Sequence, residues 1–295
     1  RVYKERINSY DEFFSPSMGW FPRWIIETAV TLSVLSLYSV MLAGMGRVFE
    51  DELSIPFTYS VIMIAIVCAV ILLNNIKAIT AINAVLTPIM TFGMILTGLY
   101  IIIFKDKAAF NIFDSFHSLT DNWLMSSILY VSYNCLMSVV VMCKLLPCLN
   151  NKWVGRIGSI MGGMSLCFAA LVINSAICIF LPKSALYELP MLNITEKFNK
   201  AISTAYTVIL WIAMFTSAII AGFCFVERVC SKTRLSPKII TVLSCVLVVL
   251  LSHMGFSGLI ATVYPVFGYV GLFVLSIILF QGLRKLLVQC KKKRT

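Results

Sequence analysis

Polar side chains that could bind a solute are concentrated in one apolar stretch, residues 122–146. Four of them, together with Met137, recur at the spacing i, i+3, i+4, i+7 and i+8, namely Tyr130, Tyr133, Asn134 and Ser138. This spacing places them on one face of an α-helix. The stretch is long enough to cross a bilayer, since about 20 apolar residues span the hydrocarbon core. The face therefore carries two phenols, an amide and a hydroxyl near the middle of the membrane.

The polar face of this stretch has two interpretations. Lipid offers its groups no hydrogen-bond partner, so they must face a cavity or other helices. In the first interpretation, Tyr130, Tyr133, Asn134 and Ser138 form one wall of a solute-binding site. In the second, they hydrogen-bond to neighbouring helices, as Ser and Asn commonly do in membrane bundles. The helix alone favours neither interpretation.

The composition of the chain is that of a membrane protein. Of its 295 residues, 60% are hydrophobic and 13% are charged, and the mean hydropathy is +0.93. A soluble domain of this size cannot bury so much apolar surface, which predicts an all-α, polytopic membrane helix bundle. The long apolar runs also exclude the short alternating strands of a transmembrane barrel.

Eight apolar segments are long enough to be membrane helices. Residues 1–23 precede them as a membrane-proximal segment, and residues 284–295 follow them as a basic tail. The segments lie at about 24–46, 55–73, 78–104, 122–146, 157–181, 201–227, 238–254 and 258–283. The acidic run at residues 50–52 is expected in a solvated loop. Residues 181–200 are expected to form a short surface or re-entrant helix pair that caps a cavity.

The basic residues support eight crossings. If the connections alternate between the two sides, eighteen of the 24 Lys and Arg residues fall on the side of both termini. The positive-inside rule therefore predicts that both termini are cytoplasmic. It also accounts for the net charge of +11 without nucleic acid as a partner. The basic run at residues 291–294 is expected to lie against anionic lipid headgroups.

Five further residues, at three places in the sequence, are expected to shape or complete a site. Pro88 and the pair Tyr264-Pro265 lie within apolar segments, where proline removes a backbone hydrogen bond and bends a helix. Thr216 and Ser217 are adjacent hydroxyls in the sixth segment. They can donate oxygen ligands to a sodium-sized ion, or bond back to carbonyls of their own helix.

The sequence does not predict an enzyme or a metal site. Its ten cysteines include no C-x-x-C pair, so a zinc or iron–sulfur site is not expected. No segment carries a charged residue or a histidine at mid-depth, so a neutral or zwitterionic ligand is expected. His117 lies in a loop near Asp114 and Asp121, while His253 stands alone at a helix end. No cofactor is predicted beyond Na⁺ or H⁺ as a coupling ion.

Several short motifs resemble those of the YkvI-type bacterial membrane proteins. They are Tyr10-Asp-Glu-Phe-Phe14, Met41-Leu-Ala-Gly-Met-Gly46, Tyr130-Val-Ser-Tyr-Asn134, Phe215-Thr216 and Tyr264-Pro-Val-Phe-Gly-Tyr269. That group resembles the amino acid–polyamine–organocation transporters, whose fold is that of LeuT. The resemblance extends over essentially the whole chain.

The resemblance implies a LeuT-like fold of two five-helix repeats with inverted topology. The eight segments then correspond to its third to tenth helices, with residues 24–121 completing the first repeat and residues 122–283 forming the second. The chain would be a fragment that lacks the first two helices. The helix around Asn134 would be one that breaks at mid-membrane, and Thr216 and Ser217 would lie at a sodium site. The location implied is the bacterial plasma membrane.

The leading hypothesis is a cation-coupled secondary transporter of a small, amino-acid-like solute, which works by alternating access around a midplane site. A non-transporting scaffold or sensor with the same fold is the first alternative, and an integral membrane enzyme is the second. A passive channel is not expected, because no ring of charges or filter-like carbonyl run is present. No oligomeric state is predicted.

Overall fold

The computed structural model describes residues 20–74, 76–104, 122–144, 151–180 and 188–292. Within these ranges the regular structure consists of nine α-helices. They are α1 (Trp20–Leu53), α2 (Phe57–Asn74), α3 (Ile76–Phe104), α4 (Trp123–Lys144), α5 (Lys152–Ile179), α6 (Pro190–Phe198), α7 (Lys200–Lys232), α8 (Pro237–Ser252) and α9 (Phe256–Lys292).

The eight long helices correspond to the eight apolar segments, and α6 is the additional short one. Five helices have a length and composition that suffice to cross a membrane among the described residues, namely α1, α3, α5, α7 and α9. Helices α2 and α8 are apolar but shorter, with 18 and 16 residues. Crossing by α2, α4 and α8 stays a prediction, and so does the LeuT-like inverted repeat.

The predicted end of the first helix was wrong. Helix α1 continues past residue 46 to Leu53, so the acidic run at 50–52 is helical and does not form a loop. Arg47 lies three and four residues before Glu50 and Asp51, and its guanidinium pairs with both carboxylates. Such pairs stabilise a helix beyond the point where its apolar face ends.

Local sequence explains where three helices begin. The side chains of Asn151, Asn199 and Ser236 each accept a hydrogen bond from a backbone N–H two or three residues later, at the starts of α5, α7 and α8. These caps satisfy donors that the first turn of a helix leaves unpaired. Helix α3 continues through Pro88 and α9 through Pro265, so bending at these positions stays a prediction.

The chain divides into two compact units. The first contains α1 as far as Val34, together with α4 and with α9 from Gly258 onward. The second contains the rest of α1 and the helices α2, α3, α5, α6, α7 and α8. The predicted boundary between residues 121 and 122 concerned sequence repeats, which this grouping does not test.

In the second unit, α1, α2, α7 and α8 pack around Tyr38. This side chain is fully buried, and its hydroxyl lies 3.6 Å from the Cys245 sulfur on α8. On α7, Gly222 leaves room for the ring, because a Cβ there would come within 3.3 Å of Tyr38 and 2.9 Å of Leu72. Helix α8 is also tied to α1 by a bond from the Ser252 hydroxyl to the Ser39 carbonyl, 3.2 Å long.

A second core joins α6 to its neighbours in the same unit. It contains six buried residues, namely Ile101, Ala176, Met191, Leu192, Ile194 and Tyr206. They come from α3, α5, α6 and α7. The short helix is therefore held by its apolar side. Whether it caps a cavity stays a prediction, and residues 181–187 lie outside the described ranges.

We predict that the two ends of α7 face opposite sides of the membrane, with the basic end in the cytoplasm. In a variant without native cysteines, a membrane-impermeant maleimide should label Lys200→Cys in intact cells. It should label Arg234→Cys only after permeabilisation, because the basic residues around it are retained inside. The reverse pattern would show that the orientation is wrong, and equal labelling of both sites in intact cells would show that α7 does not cross.

Candidate functional site

One face of α4 carries a row of exposed polar side chains. Ser127, Tyr130, Asn134 and Ser138 are all exposed and follow one another at spacings of three and four residues. Tyr130 is 55% exposed. The Asn134 amide nitrogen donates to the Tyr130 carbonyl at 2.8 Å, which leaves its side-chain oxygen available. The structure thus brings three of the four predicted substrate-binding residues together on one face.

Tyr133, the fourth predicted residue, is buried against α9. It is only 3% exposed, and its ring centroid lies 4.9 Å from that of Tyr264. Tyr264 also contacts Tyr130 edge to face, at 6.2 Å between centroids. These three residues are called the tyrosine cluster below. The sequence interpretation treated Tyr264 as part of a bend, whereas here its ring joins the predicted site.

The Tyr133 hydroxyl is buried and has no hydrogen-bond partner among the described residues. A buried polar group without a partner costs roughly 1–3 kcal/mol. Native proteins carry few such groups, and those that remain are often explained by an unseen water, ion or ligand. This hydroxyl is therefore the position in the cluster where a ligand atom would gain most.

Two glycines let α4 and α9 approach closely at the cluster. A Cβ on Gly271 would overlap the Ser132 carbonyl and lie 3.0 Å from the Tyr133 amide nitrogen. A Cβ on Gly268 would lie 3.1 Å from the Leu129 carbonyl oxygen. Because the obstructing atoms belong to backbone, the helices could not make room by a side-chain rotation. The glycines therefore set the distance between the Tyr133 and Tyr264 rings.

The predicted ion ligands lie on α7 in the second unit. The hydroxyls of Thr216 and Ser217 both donate to the Ala213 carbonyl, at 3.2 and 2.8 Å, and Thr216 is 8% exposed. Bonding back to the helix, one of the two alternatives, is thus what the structure shows. It uses the hydroxyl hydrogens but leaves oxygen lone pairs, so ion coordination stays a prediction.

A charged cleft in the second unit was missed by the sequence interpretation. Its volume is about 360 Å³, and it is lined by Arg47, Asp51, Glu52, Glu188, Leu189, Leu192, Asn193 and Glu196. Arg47 lies 2.8 Å from Glu50, 3.5 Å from Asp51 and 3.4 Å from Glu188. The spacing of three and four residues from Arg47 to Glu50 and Asp51 predicts these two local ion pairs. Nothing in the sequence predicts the third pair, with Glu188.

The contact between Arg47 and Glu188 connects the end of α1 to the residues just before α6. Arg47 and its three carboxylate partners, Glu50, Asp51 and Glu188, are each between about one-third and one-half exposed. Ion pairs with this exposure contribute at most about 1 kcal/mol each. One arginine that serves three carboxylates can still hold the short helix in place.

Among the described residues, no group of three or more His, Cys, Asp or Glu side chains could hold a metal ion.

The fold and these sites define the class of protein. A chain of nine described helices, five of them long and apolar enough to cross a bilayer, is a multi-pass membrane protein. The chain is 25% identical over 276 residues to the uncharacterized membrane protein YkvI of Bacillus subtilis, which covers 92% of this chain and 78% of that protein. It is also 25% identical over 259 residues to the uncharacterized protein YyaD of the same organism, covering 87% of this chain and 75% of that one.

No family model matches the chain. No solved structure matches it either. The two relatives support the YkvI-type resemblance. The names of the two relatives do not mention the LeuT-fold transporters. The resemblance to those transporters therefore stays an interpretation.

We predict that Gly271→Ala destabilises the contact between α4 and α9, because its Cβ would overlap the Ser132 carbonyl. The detergent-solubilised variant should unfold at a temperature several degrees below wild type. Gly162→Ala on α5 is the matched control, since no atom lies within 4 Å of a Cβ there, and it should unfold at the wild-type temperature or above. Equal unfolding temperatures for both variants would show that α4 and α9 are not this close.

We predict that Arg47→Gln loosens α6. Backbone amides of residues 190–198 should exchange hydrogen for deuterium faster, because the guanidinium no longer holds Glu188 against α1. Lys200→Gln, which removes an exposed positive charge nearby, should leave the exchange of this helix unchanged. Unchanged exchange in the Arg47 variant would contradict a holding role for that side chain.

Proposed function

We propose that the protein is a secondary active transporter of a small, amino-acid-like solute. The observation that carries this proposal is the Tyr133 hydroxyl, which is buried beside an exposed row of polar groups on α4 and finds no partner among the residues that the structure describes. A helix in lipid gains nothing from such groups unless polar atoms meet them during function.

The chemistry of the α4 face suits a zwitterion. Tyrosine hydroxyls and the Asn134 amide can each donate or accept hydrogen bonds, so they can meet a carboxylate or an ammonium group. Residues 123–143 of α4 and residues 256–277 of α9 contain no acidic or basic residue. A solute with a large net charge would therefore remain uncompensated here, whereas one with balanced charges would not.

Coupling to Na⁺ or H⁺ rests on Thr216 and Ser217. Their two oxygens lie close together because both hydroxyls donate to the same carbonyl. Hydroxyl oxygens are hard ligands of the kind that small cations prefer. In the proposed mechanism, cation binding on α7 and solute binding on α4 favour the same conformation, and alternating access then carries both across.

The proposal predicts that removal of one oxygen from Tyr133 impairs transport. Proteoliposomes with an inward Na⁺ or proton gradient should take up one component of a labelled amino acid mixture. In Tyr133→Phe, the ring and its packing remain, but one hydrogen bond to the solute is lost. Since a hydrogen bond contributes about 1 kcal/mol, uptake at limiting solute should fall about fivefold.

Two comparisons keep this experiment decisive. Asn134→Ala should also lower uptake. If its uptake equals that of wild type, Asn134 is not part of the site. Ser159→Ala is the control, because that exposed hydroxyl donates only to the Gly155 carbonyl of its own helix, and it should transport like wild type. Normal uptake by Tyr133→Phe would contradict the proposed role of the hydroxyl.

A non-transporting scaffold or sensor is the second candidate. The observation that favours it is the enclosure of Tyr133 by the Tyr264 ring, which leaves little open space at that hydroxyl. Solute binding that raises the unfolding temperature, with no uptake under either gradient, would support this candidate over the transporter.

A further inference from the structure

A wholly apolar groove runs between α2 and α8 in the second unit, and it differs in chemistry from the polar sites described above. Its volume is about 440 Å³. It is lined by Ile62, Ala65, Ile66, Ala69, Val70, Leu73, Val242, Cys245, Val246, Val249 and Leu250. Apart from one thiol, every lining side chain is aliphatic. The groove therefore has no group that could orient a polar solute.

The size of the groove matches one leaflet of a bilayer. Along α2 its lining extends from Ile62 to Leu73, which corresponds to about 16 Å at 1.5 Å per residue. This is roughly half of the 30 Å hydrocarbon core. The alanines at 65 and 69 supply the depth, because a larger side chain at either position would fill the space between the helices.

One end of the groove is basic. The two helices are antiparallel, since Thr58 near the start of α2 contacts His253 at the end of α8, and Ala65 contacts Cys245 between these ends. The start of α8 therefore lies beside Leu73. Lys238 lies one turn before Val242, so it shares the helical face that lines the groove.

A second positive charge lies in the connection that precedes α8. Arg234 is exposed there, as is Lys238. No acidic residue is present between Arg228 and the end of α8. The connection before α8 and the first turn of α8 thus carry two cations and no carboxylate, which is the charge pattern that complements a phosphate.

We propose that this groove binds an anionic phospholipid, with an acyl chain along α2 and α8 and the phosphate at Lys238 and Arg234. The site is separate from the tyrosine cluster and does not depend on the proposed transport function. Hydrocarbon is the occupant that an aliphatic wall in a bilayer accepts, and the basic end selects the headgroup charge. The short lengths of α2 and α8, about 27 and 24 Å, bring headgroups near the ends of the groove.

The test measures retained lipid on the full chain in detergent by native mass spectrometry. The protein is incubated with phosphatidylglycerol or with phosphatidylcholine of identical acyl chains. Wild type should retain phosphatidylglycerol preferentially. Val246→Trp should reduce its retention at least tenfold, because the indole fills the groove. Leu243→Trp is the matched control, since this exposed residue lies on the same helix outside the groove, and it should bind like wild type.

Further measurements separate the contribution of the lipid's acyl chain from that of its headgroup. Lys238→Gln and Arg234→Gln should each weaken phosphatidylglycerol retention about fivefold, as expected for one basic side chain near a membrane surface, and leave phosphatidylcholine unchanged. Glycerol phosphate without acyl chains should not compete. If Val246→Trp does not fold, Ile66→Trp fills the same groove from α2.

Three results would overturn the proposal. The first is equal lipid retention by Val246→Trp and Leu243→Trp. The second is retention without preference for phosphatidylglycerol. The third is a dimer in which Val246→Trp abolishes association, which would make a second copy of the chain the occupant of the groove.

Discussion

The constraint on which this structure depends is that a bilayer interior offers no hydrogen bonds, so every polar group must find its partner within the protein. Hydroxyls meet this constraint repeatedly by donating to a carbonyl one turn earlier in their own helix. Examples are Thr91, Thr97, Ser132, Thr241 and Ser252. These residues need no ligand to explain them. The Tyr133 hydroxyl does not follow this pattern, because a phenol oxygen lies too far from its own backbone to bond to it.

Close contact between helices is a second requirement that a bilayer imposes. Glycines at 98, 222, 268 and 271 each face atoms of a neighbouring helix at distances that a Cβ would make too short. Membrane helices associate through such small residues, since hydrophobic burial gives no advantage among lipid tails. Where α2 presents Ala65 and Ala69 to α8 instead, a groove remains between the two helices.

Hydropathy and helical periodicity predicted most of the architecture. The eight long helices follow the eight apolar segments, and the shared face of Tyr130, Asn134 and Ser138 follows from a period of 3.6 residues. The predicted end of α1 was wrong. Hydropathy places the end of the helix at the last apolar residue, whereas the ion pairs formed by Arg47 let the helix continue to Leu53.

The partners of the site residues could not be predicted from the sequence. Tyr130 and Tyr133 share a predicted face, yet contact with α9 buries one and leaves the other exposed. That outcome depends on Gly268 and Gly271, which bring Tyr264 against Tyr133, and no local pattern links residues more than 130 positions apart. The pairing of Arg47 with Glu188 was inaccessible for the same reason.

Fluorine NMR can measure the contact between the Tyr133 hydroxyl and a solute, on which the proposed transport depends. A fluorotyrosine placed at position 133, in protein embedded in nanodiscs, reports the surroundings of that hydroxyl through its chemical shift. On addition of the amino acid mixture the resonance at 133 should move, while that of a label at the exposed Tyr59 should not. A resonance at 133 that stays fixed while a solute binds would show that this hydroxyl does not meet the solute.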